Sequence, residues 1–244
     1  VFSIALDTDQ NIYVTGGTLS QGFPTTPGAL HNLKNGGIDG FVSHISADGS
    51  ALISSTYYGT SAYDQSFFVE ADRADNVYLF GQTSGFSGAL VSNAAYNEPD
   101  GGQFISKLSP QLDSVIWSTR FGSGDGDPDI SPTAFLVDLC NSVYISGWGS
   151  DLSFSVYHPL STGGLDTAGN PFQGTTDSND FYLMVMLDDA SAISYATFMG
   201  GSAQEHVDGG TSRFDKKGKI YQAVCAGCGG TSDFPTYPDS TVFS

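Results

Sequence analysis

Two of the three cysteines, Cys225 and Cys228, form a CxxC pair in the segment YQAVCAGCGG. This spacing occurs in zinc knuckles, redox pairs and local disulfides. A redox pair needs its first cysteine at a helix N-terminus, which lowers the pKa of the thiol, whereas a Gly-Gly turn follows this pair. A zinc site needs four ligands, and neither a second CxxC nor a suitably spaced histidine accompanies the pair. The residues therefore disfavour both redox and zinc chemistry.

Acidic residues at alternate positions form the second candidate site. Asp125, Asp127 and Asp129 in GDGDPDI have the oxygen-rich spacing of calcium loops, and the glycines let the backbone fold around an ion. A similar spacing in LDTDQN, residues 6–11, lacks such glycines. The alternative for both segments is a turn whose Asp side chains accept hydrogen bonds from local backbone amides. We favour turns and keep calcium as the only cofactor to test.

Common catalytic motifs are absent, because the sequence contains no GxSxG elbow, HExxH or P-loop. Glu205, His206 and Asp208 in EHVDGG suggest an acid/base cluster, but they lie at a junction between repeat units, where capped turns are expected. We predict a protein without catalytic activity. Among the aromatic residues Trp148, in a Gly-Trp-Gly segment at the end of a predicted strand, is the candidate for stacking on a ligand.

These residues lie on a repeated framework. The pattern DTDQNIYVTGGT recurs four times and places tyrosines at equivalent positions, namely Tyr13, Tyr78, Tyr144 and Tyr221, spaced by 65, 66 and 77 residues. Each unit contains four short runs of alternating apolar and polar residues, which predict four strands. The units begin near residues 1, 66, 133 and 206, and the third contains a polar insertion at 151–180 that we expect to protrude.

Four strands per repeat are typical of propeller blades. We therefore predict an all-β protein, a β-propeller built from four-stranded antiparallel blades of about 65–77 residues, in which residues 1–244 supply three complete units and a partial fourth. The tyrosines that recur in register are expected to pack between blades. The 31 glycines suit the tight turns that such a fold requires.

Charge restricts the partners. The chain has 8 Lys plus Arg against 26 Asp plus Glu, a net charge of -18. This charge repels phosphate backbones and anionic lipid headgroups. No apolar run approaches the length needed to cross a bilayer. We expect neither a nucleic-acid partner nor direct membrane insertion.

The repeated wording resembles a known family. NIYVTGGT, GFPTTPGAL and ISADGSALISSTYYGTS occur in the order of the SBBP-type β-propeller repeats. VDLCNSVYISGWGS and DFYLMVMLDDAS are similar, more narrowly, to segments of large secreted surface proteins of the Bacteroidota. Such proteins often carry PKD-like domains and a gliding-motility-associated C-terminal domain, the export signal of the type IX secretion system. The resemblance implies an extracellular protein at the cell surface.

An extracellular setting is oxidising, so the resemblance implies a disulfide at Cys225 and Cys228, either within the pair or to a cysteine beyond this sequence. A bridge between Cys140 and Cys225 is disfavoured, because Cys140 precedes its predicted strand and Cys225 follows the equivalent one. The last unit stops before its third strand, at FPTYPDSTVFS. We expect the natural protein to continue, or another chain to cover this edge.

The expected function is a non-catalytic structural or adhesive interaction module of a cell-surface protein, related to adhesion or gliding motility. One alternative is a carbohydrate-binding propeller, and a second is a propeller hydrolase that acts on extracellular polysaccharide. The implied partners are other segments of the same surface protein or another surface protein, glycans, and the type IX secretion machinery during export.

Overall fold

The computed structural model describes residues 1–150, 159–207, 212–215, 217–228 and 233–236. Every regular element in these ranges is a β-strand, and they contain no helix. Alternating apolar and polar residues produce this result, because successive side chains of a strand point to opposite faces of the sheet. None of the described ranges holds a helix long and apolar enough to cross a membrane. The prediction of an all-β protein is confirmed.

Twelve strands form three antiparallel sheets of four strands each, and the strands of each sheet follow one another along the chain. Sheet 1 contains β1 (Ser3–Leu6), β2 (Ile12–Thr18), β3 (Asp39–Ile45) and β4 (Leu52–Tyr58). Sheet 2 contains β5 (Asp64–Ala71), β6 (Val77–Thr83), β7 (Gln103–Leu108) and β8 (Val115–Phe121). Sheet 3 contains β9 (Ser131–Val137), β10 (Val143–Trp148), β11 (Phe181–Met186) and β12 (Ile193–Met199). The predicted four-stranded antiparallel unit is therefore present.

Two short antiparallel pairs follow sheet 3. β13 (Gln204–His206) pairs with β16 (Cys225–Cys228), and β14 (Ser212–Phe214) pairs with β15 (Ile220–Gln222). These strands correspond in sequence to the first two strands of the preceding sheets. We call them the fourth unit.

The turn between the first two strands of each unit is closed by one aspartate. Its Oδ1 accepts hydrogen bonds from the backbone amides two and four residues later, at 2.7–3.0 Å. These aspartates are Asp7, Asp72, Asp138 and Asp215. The residue three positions after each of these aspartates has a positive φ, between 61° and 77°. In the fourth unit this residue is a glycine. Such local acceptance is the reason why Asp is favoured in turns.

The core lies between neighbouring sheets. Tyr13, Val42 and Tyr58 of sheet 1 pack in one cluster with Leu79 and Leu108 of sheet 2. A second cluster joins sheets 2 and 3 and includes Tyr78, Trp117, Val143 and Met184. The strand β5 contacts β1, β2 and β3, and β9 contacts β5 and β6. Sheet 2 therefore presents one face to sheet 1 and the other to sheet 3.

The recurring tyrosines differ along the chain. Tyr13 and Tyr78 are fully buried between sheets, as predicted. Tyr144 is partly buried and contacts Phe214 of the fourth unit, with ring centroids 5.9 Å apart. Tyr221 is 57% exposed. Burial therefore depends on whether a following sheet covers the residue.

The predicted insertion at 151–180 lies partly outside the described residues, which resume at 159. Leu160 and Leu165 are buried, and Ala168 forms a β-bridge with Ala196 of β12. The expectation that this segment protrudes is wrong for residues 159–168, because its apolar side chains pack against sheet 3.

Candidate functional site

A cleft of about 710 Å³ lies where the first turn of sheet 1 meets the β7–β8 turn of sheet 2. Its lining includes four carboxylates, those of Asp7, Asp9, Asp75 and Asp113. Sheet 1 is linked to the β7–β8 turn, because the hydroxyl of Tyr13 on β2 donates to the carbonyl of Pro110 at 3.2 Å. The cleft therefore lies at the interface between sheets 1 and 2.

At the base of the cleft the carboxylate of Asp7 contacts the imidazole ring of His44. Asp7 Oδ2 lies 2.9 Å from His44 Nε2 and also accepts from Asn11 Nδ2 at 2.9 Å. Burial alone would raise the pKa of Asp7, but hydrogen bonds from Asn11 and the contact with His44 outweigh it and hold the pKa below its usual value. Asp7 is therefore an anionic acceptor at the base of the cleft.

The His44 ring is fixed on both sides. Tyr13, its partner on β2, stacks on it with ring centroids 4.0 Å apart and planes 17° apart. Ser54, its partner on β4, lines the same cleft. His44 Nδ1 and Ser54 Oγ are both buried without a hydrogen-bond partner. Buried polar atoms are normally paired, so these two unpaired atoms are exceptions in the wall of the cleft.

The other sheets show why the cleft opens here. In sheet 2 the place of His44 is taken by Lys107, whose Nζ lies 3.1 Å from Asp72 Oδ2 and 4.8 Å from the centre of the Tyr78 ring. The residue opposite Lys107 is Trp117, and in sheet 3 the corresponding residue is Tyr195. Ser54 is the small counterpart of these two aromatic residues, and the space that they occupy is left open.

The lining decides which ligands the cleft suits. The carboxylate of Asp75 already accepts from the Thr8 amide and hydroxyl at 2.9 and 2.8 Å. Hydrogen bonds from Ser109 and Ser114 lower the pKa of Asp113. Ionised carboxylates only accept hydrogen bonds. The cleft therefore suits a ligand that is rich in hydroxyl or cationic donors. Ser54 Oγ and His44 Nδ1 are not hydrogen-bonded to each other.

The predicted calcium ligands form separate contacts. Asp125 Oδ1 accepts from the Asp127 amide at 3.0 Å, and Asp127 Oδ1 accepts from Ser84 Oγ at 3.1 Å. Asp129 is buried, and its Oδ2 accepts from the Ser123 amide at 3.0 Å. The part of the chain that the structure describes contains no group of three or more His, Cys, Asp or Glu side chains able to hold a metal ion. The contacts of Asp125 and Asp129 lie within turns, whereas Asp127 contacts the connection between β6 and β7; calcium binding at these residues stays a prediction.

Trp148 is the last residue of β10 and is partly buried. Its ring lies 5.8 Å from that of His206. It also lines a pocket of about 330 Å³ together with Phe2, Phe67 and Pro132. The predicted ligand-stacking residue therefore lies at an aromatic pocket, separate from the cleft.

The CxxC pair lies in the second strand of the fourth unit, as the alignment of the repeats predicts. Cys225 and Cys228 are the ends of β16, in the second strand of the fourth unit. Cys225 is disulfide-bonded, whereas Cys140 is free and exposed. The side chain of Cys228 lies outside the described residues, so a bridge within the pair stays a prediction.

A pair of buried acids was not anticipated from the sequence. Asp180 and Glu205 are 0% and 1% exposed, and Asp180 Oδ1 and Glu205 Oε2 have no hydrogen-bond partner. A methyl group placed on Gly200 would meet these two oxygens at 1.7 and 2.7 Å. Burial, together with the charges of Asp180, Asp177 and Asp233, raises the pKa of Glu205 to about 7.

The same place in the other sheets is occupied differently. Between sheets 1 and 2, burial and the charge of Asp39 raise the pKa of Asp64. In sheet 2 the residue in register with Asp39 is Gly102, and Gln103 Nε2 donates to Asp129 Oδ2 at 3.0 Å. The suggested cluster of Glu205, His206 and Asp208 is not formed by the described side chains, since Glu205 faces Asp180 and His206 contacts Trp148. Asp208 lies outside the described residues.

The chain matches no protein-family model and no curated protein.

Proposed function

We propose that the chain is a section of an extracellular β-propeller that serves a cell-surface protein as a non-catalytic interaction module. The proposal extends the observed sheets to a radial arrangement, in which the first strand of each unit lies nearest a common axis. It also takes up the resemblance of the repeats to SBBP-type propellers, and with it the expected role in adhesion or gliding motility.

One observation carries the radial arrangement. The first strands of successive units contact one another in order, β1 with β5, β5 with β9, and β9 with β14. Residues of β5, β9 and β14 line the aromatic pocket beside Trp148, namely Phe67, Ser131 and Ser212 among others, together with Phe2, which directly precedes β1. Strands that meet in this way around one pocket are expected of a propeller, whereas stacked sandwiches bring whole sheets face to face.

Surface composition supports an interaction role. The chain combines a net charge of -18 with long connections between the second and third strands of each sheet, such as residues 19–38 and 84–102. Loops held by a rigid sheet framework are the usual carriers of binding residues. The partners proposed on this basis are segments of the same or another surface protein, and glycans.

Binding and turnover assays on the same materials test the proposal. The purified chain is applied to arrayed glycans and to extracellular proteins, and release of reducing ends from polysaccharides is measured in parallel. Binding without turnover is the expected result. Turnover that survives repurification and disappears on substitution of His44 or Glu205 would contradict a non-catalytic role.

A second candidate function is recognition of a polyhydroxylated ligand in the cleft. It is favoured by the four carboxylates in the lining. Sugar hydroxyls are donors that match these acceptors. Tyr13 contributes no stacking surface to a sugar, because it is fully buried against His44, so recognition is proposed to depend on hydrogen bonds.

The repeat itself supplies the variant that tests this function. Ser54→Trp places in sheet 1 the residue that sheet 2 carries at Trp117, and it should fill the cleft without disturbing the strands. We expect glycan binding to fall at least about tenfold. Ser87→Trp, at an exposed position away from the cleft, is the matched control. Equal binding by wild type and Ser54→Trp would exclude the cleft.

A further inference from the structure

The three junctions between successive units contain the same contact. A glycine follows the last strand of one unit, and an acidic residue from the start of the next unit lies against it. A methyl group placed on the glycine would meet a carboxylate oxygen at 2.9 Å or less in each case. The pairs are Gly59 with Asp64, Gly122 with Asp129, and Gly200 with Glu205. We call Asp64, Asp129 and Glu205 the junction acids.

The first two junction acids have hydrogen-bond donors. Asp64 Oδ2 accepts from the Thr60 amide and hydroxyl at 2.6 and 2.8 Å. Asp129 Oδ2 accepts from the Ser123 amide and from Gln103 Nε2, both at 3.0 Å. In both junctions the oxygen that lies against the glycine is therefore the one that is hydrogen-bonded.

Glu205 is the exception. Its Oε1 accepts from the Gly201 amide at 3.3 Å, but Oε2, the oxygen against Gly200, has no donor. Asp180 Oδ1 lies against the same glycine, 1.7 Å from the methyl position, and is also unpartnered. Asp180 and Glu205 are at most 1% exposed. Two buried acceptors therefore meet where the other junctions join an acceptor to a donor.

The neighbouring charges are negative as well. Asp177 and Asp233 act on Glu205 in the same sense as Asp180, and all three raise its pKa. Asp180 Oδ2 accepts from Gln173 Nε2 at 3.2 Å, a neutral donor that adds no charge. A cation between Asp180 Oδ1 and Glu205 Oε2 would offset the negative charge and give both acceptors a partner.

Calcium suits the oxygens at this junction. It accepts carboxylates, side-chain carbonyls and waters in a flexible geometry, whereas magnesium demands a nearly ideal octahedron. The described ranges contain no group of three or more His, Cys, Asp or Glu side chains for a metal ion, so the ligands beyond the two carboxylates must be neutral oxygens. Gln173 Oε1, which accepts from the Gly200 amide at 3.1 Å, lies at the same junction.

We propose that a calcium ion binds between Asp180 Oδ1 and Glu205 Oε2 and thereby joins the fourth unit to sheet 3. The ion takes the place that the Gln103 amide has at the second junction. The site is separate from the turn at 125–129, and it does not depend on the proposed function. The pH dependence of the acid pair belongs to the calcium-free protein.

Thermal unfolding of the whole chain, with calcium or with a chelator, tests this proposal. The pKa of Glu205 is about 7, so at about pH 8 few protons compete with the ion. Weak calcium sites have a Kd of about 10⁻⁴–10⁻³ M, and about 10 mM calcium should then raise the Tm by roughly 2–4 °C. A Tm that is the same in calcium and in chelator would overturn the proposal.

Three variants locate the ion. Asp180→Asn and Glu205→Gln each remove one proposed ligand charge and keep the shape of the side chain, and each should weaken calcium binding in equilibrium dialysis at least about tenfold. Asp125→Asn removes the same charge at an exposed residue of the other acidic turn and should bind calcium like the wild type. Loss of binding in Asp125→Asn together with normal binding in Glu205→Gln would place the ion at 125–129 and refute the site.

A shared proton is the alternative occupant of the acid pair. In chelator at about pH 8 Glu205→Gln should melt above the wild type, because the amide relieves the repulsion between the carboxylates, and this also shows that the variant is folded. Calcium should narrow that difference, since only the wild type gains stability from the ion. If calcium shifts both proteins equally and only acid pH stabilises the wild type, a proton occupies the pair and the proposal is wrong.

Discussion

Glu205 and Asp180 face each other with two unpartnered oxygens, Oε2 and Oδ1, in a place closed to solvent. If two buried carboxylates so close together are both ionised, their repulsion destabilises the folded state. The pair joins sheet 3 to the first strand of the fourth unit, since Asp180 directly precedes β11 and Glu205 lies in β13. Its protonation is therefore coupled to the docking of that unit.

Stability should fall as the pH rises towards neutrality. The pKa of Glu205 is raised from 4.5 to about 7, so the folded state binds more protons than the unfolded state within this window. The stabilisation is complete below the unfolded pKa and is lost as the pH rises through the folded pKa. Glu205→Gln removes this titration. We expect the variant to exceed the wild type by about 1 kcal/mol at pH 8 and to lose the advantage at pH 4; urea unfolding at both values measures the difference.

Gln103 provides the reverse experiment. Its amide donates to Asp129, and Gln103→Glu would replace that donor with a second carboxylate. We expect a loss of about 2 kcal/mol at pH 7, which acid pH partly restores. Gln111→Glu adds the same charge at an exposed position and should cost little. Equal losses for the two variants would show that net charge, rather than the buried contact, sets the effect.

Arg120 should be the most sensitive basic residue. It is fully buried, and its guanidinium donates to the carbonyls of Gly101, Gly85 and Phe86 at 2.6, 3.1 and 3.0 Å. Arg120→Met leaves these carbonyls unpaired and should cost about 3 kcal/mol, or roughly 6–12 °C in Tm. Arg73→Met, at an exposed residue, is the control. A change in Tm no larger than that of the control would refute this structural role.

The thiols should differ in reactivity. Cys140 is free and exposed, whereas Cys225 is disulfide-bonded. Alkylation of the native, unreduced protein followed by mass mapping should therefore label Cys140 alone. Labelling of Cys225 and Cys228 without reduction would contradict the predicted bridge within the pair.

Much of the fold could be predicted because it is local. Alternation within runs such as NIYVTG and FVSHIS indicates strands, and the recurrence of these runs indicates four strands per sheet. The Asp7 turn is equally local, since its acceptor and both donors lie within five residues. A propeller is defined by how its sheets are arranged in space. The pattern of strands in the sequence suggests this arrangement but does not determine it.

The candidate cleft could not be predicted from motifs, because it arises from a missing side chain. Ser54 is an ordinary strand residue until it is compared with Trp117 and Tyr195 at the same register position. Alignment of the repeats against one another, strand by strand, carries this signal. The Asp180–Glu205 pair joins residues of two different units and has no spacing that distinguishes it.

Each of the three four-stranded sheets is assembled only from strands that are neighbours along the chain. Because paired strands are close in sequence, the loops that must close to form a sheet are short. Short loops favour rapid folding. A sheet can therefore form as soon as its own four strands are free, before the rest of the chain has followed. The structure can then grow by successive addition of finished sheets, each docking on the recurring tyrosine of the sheet before it.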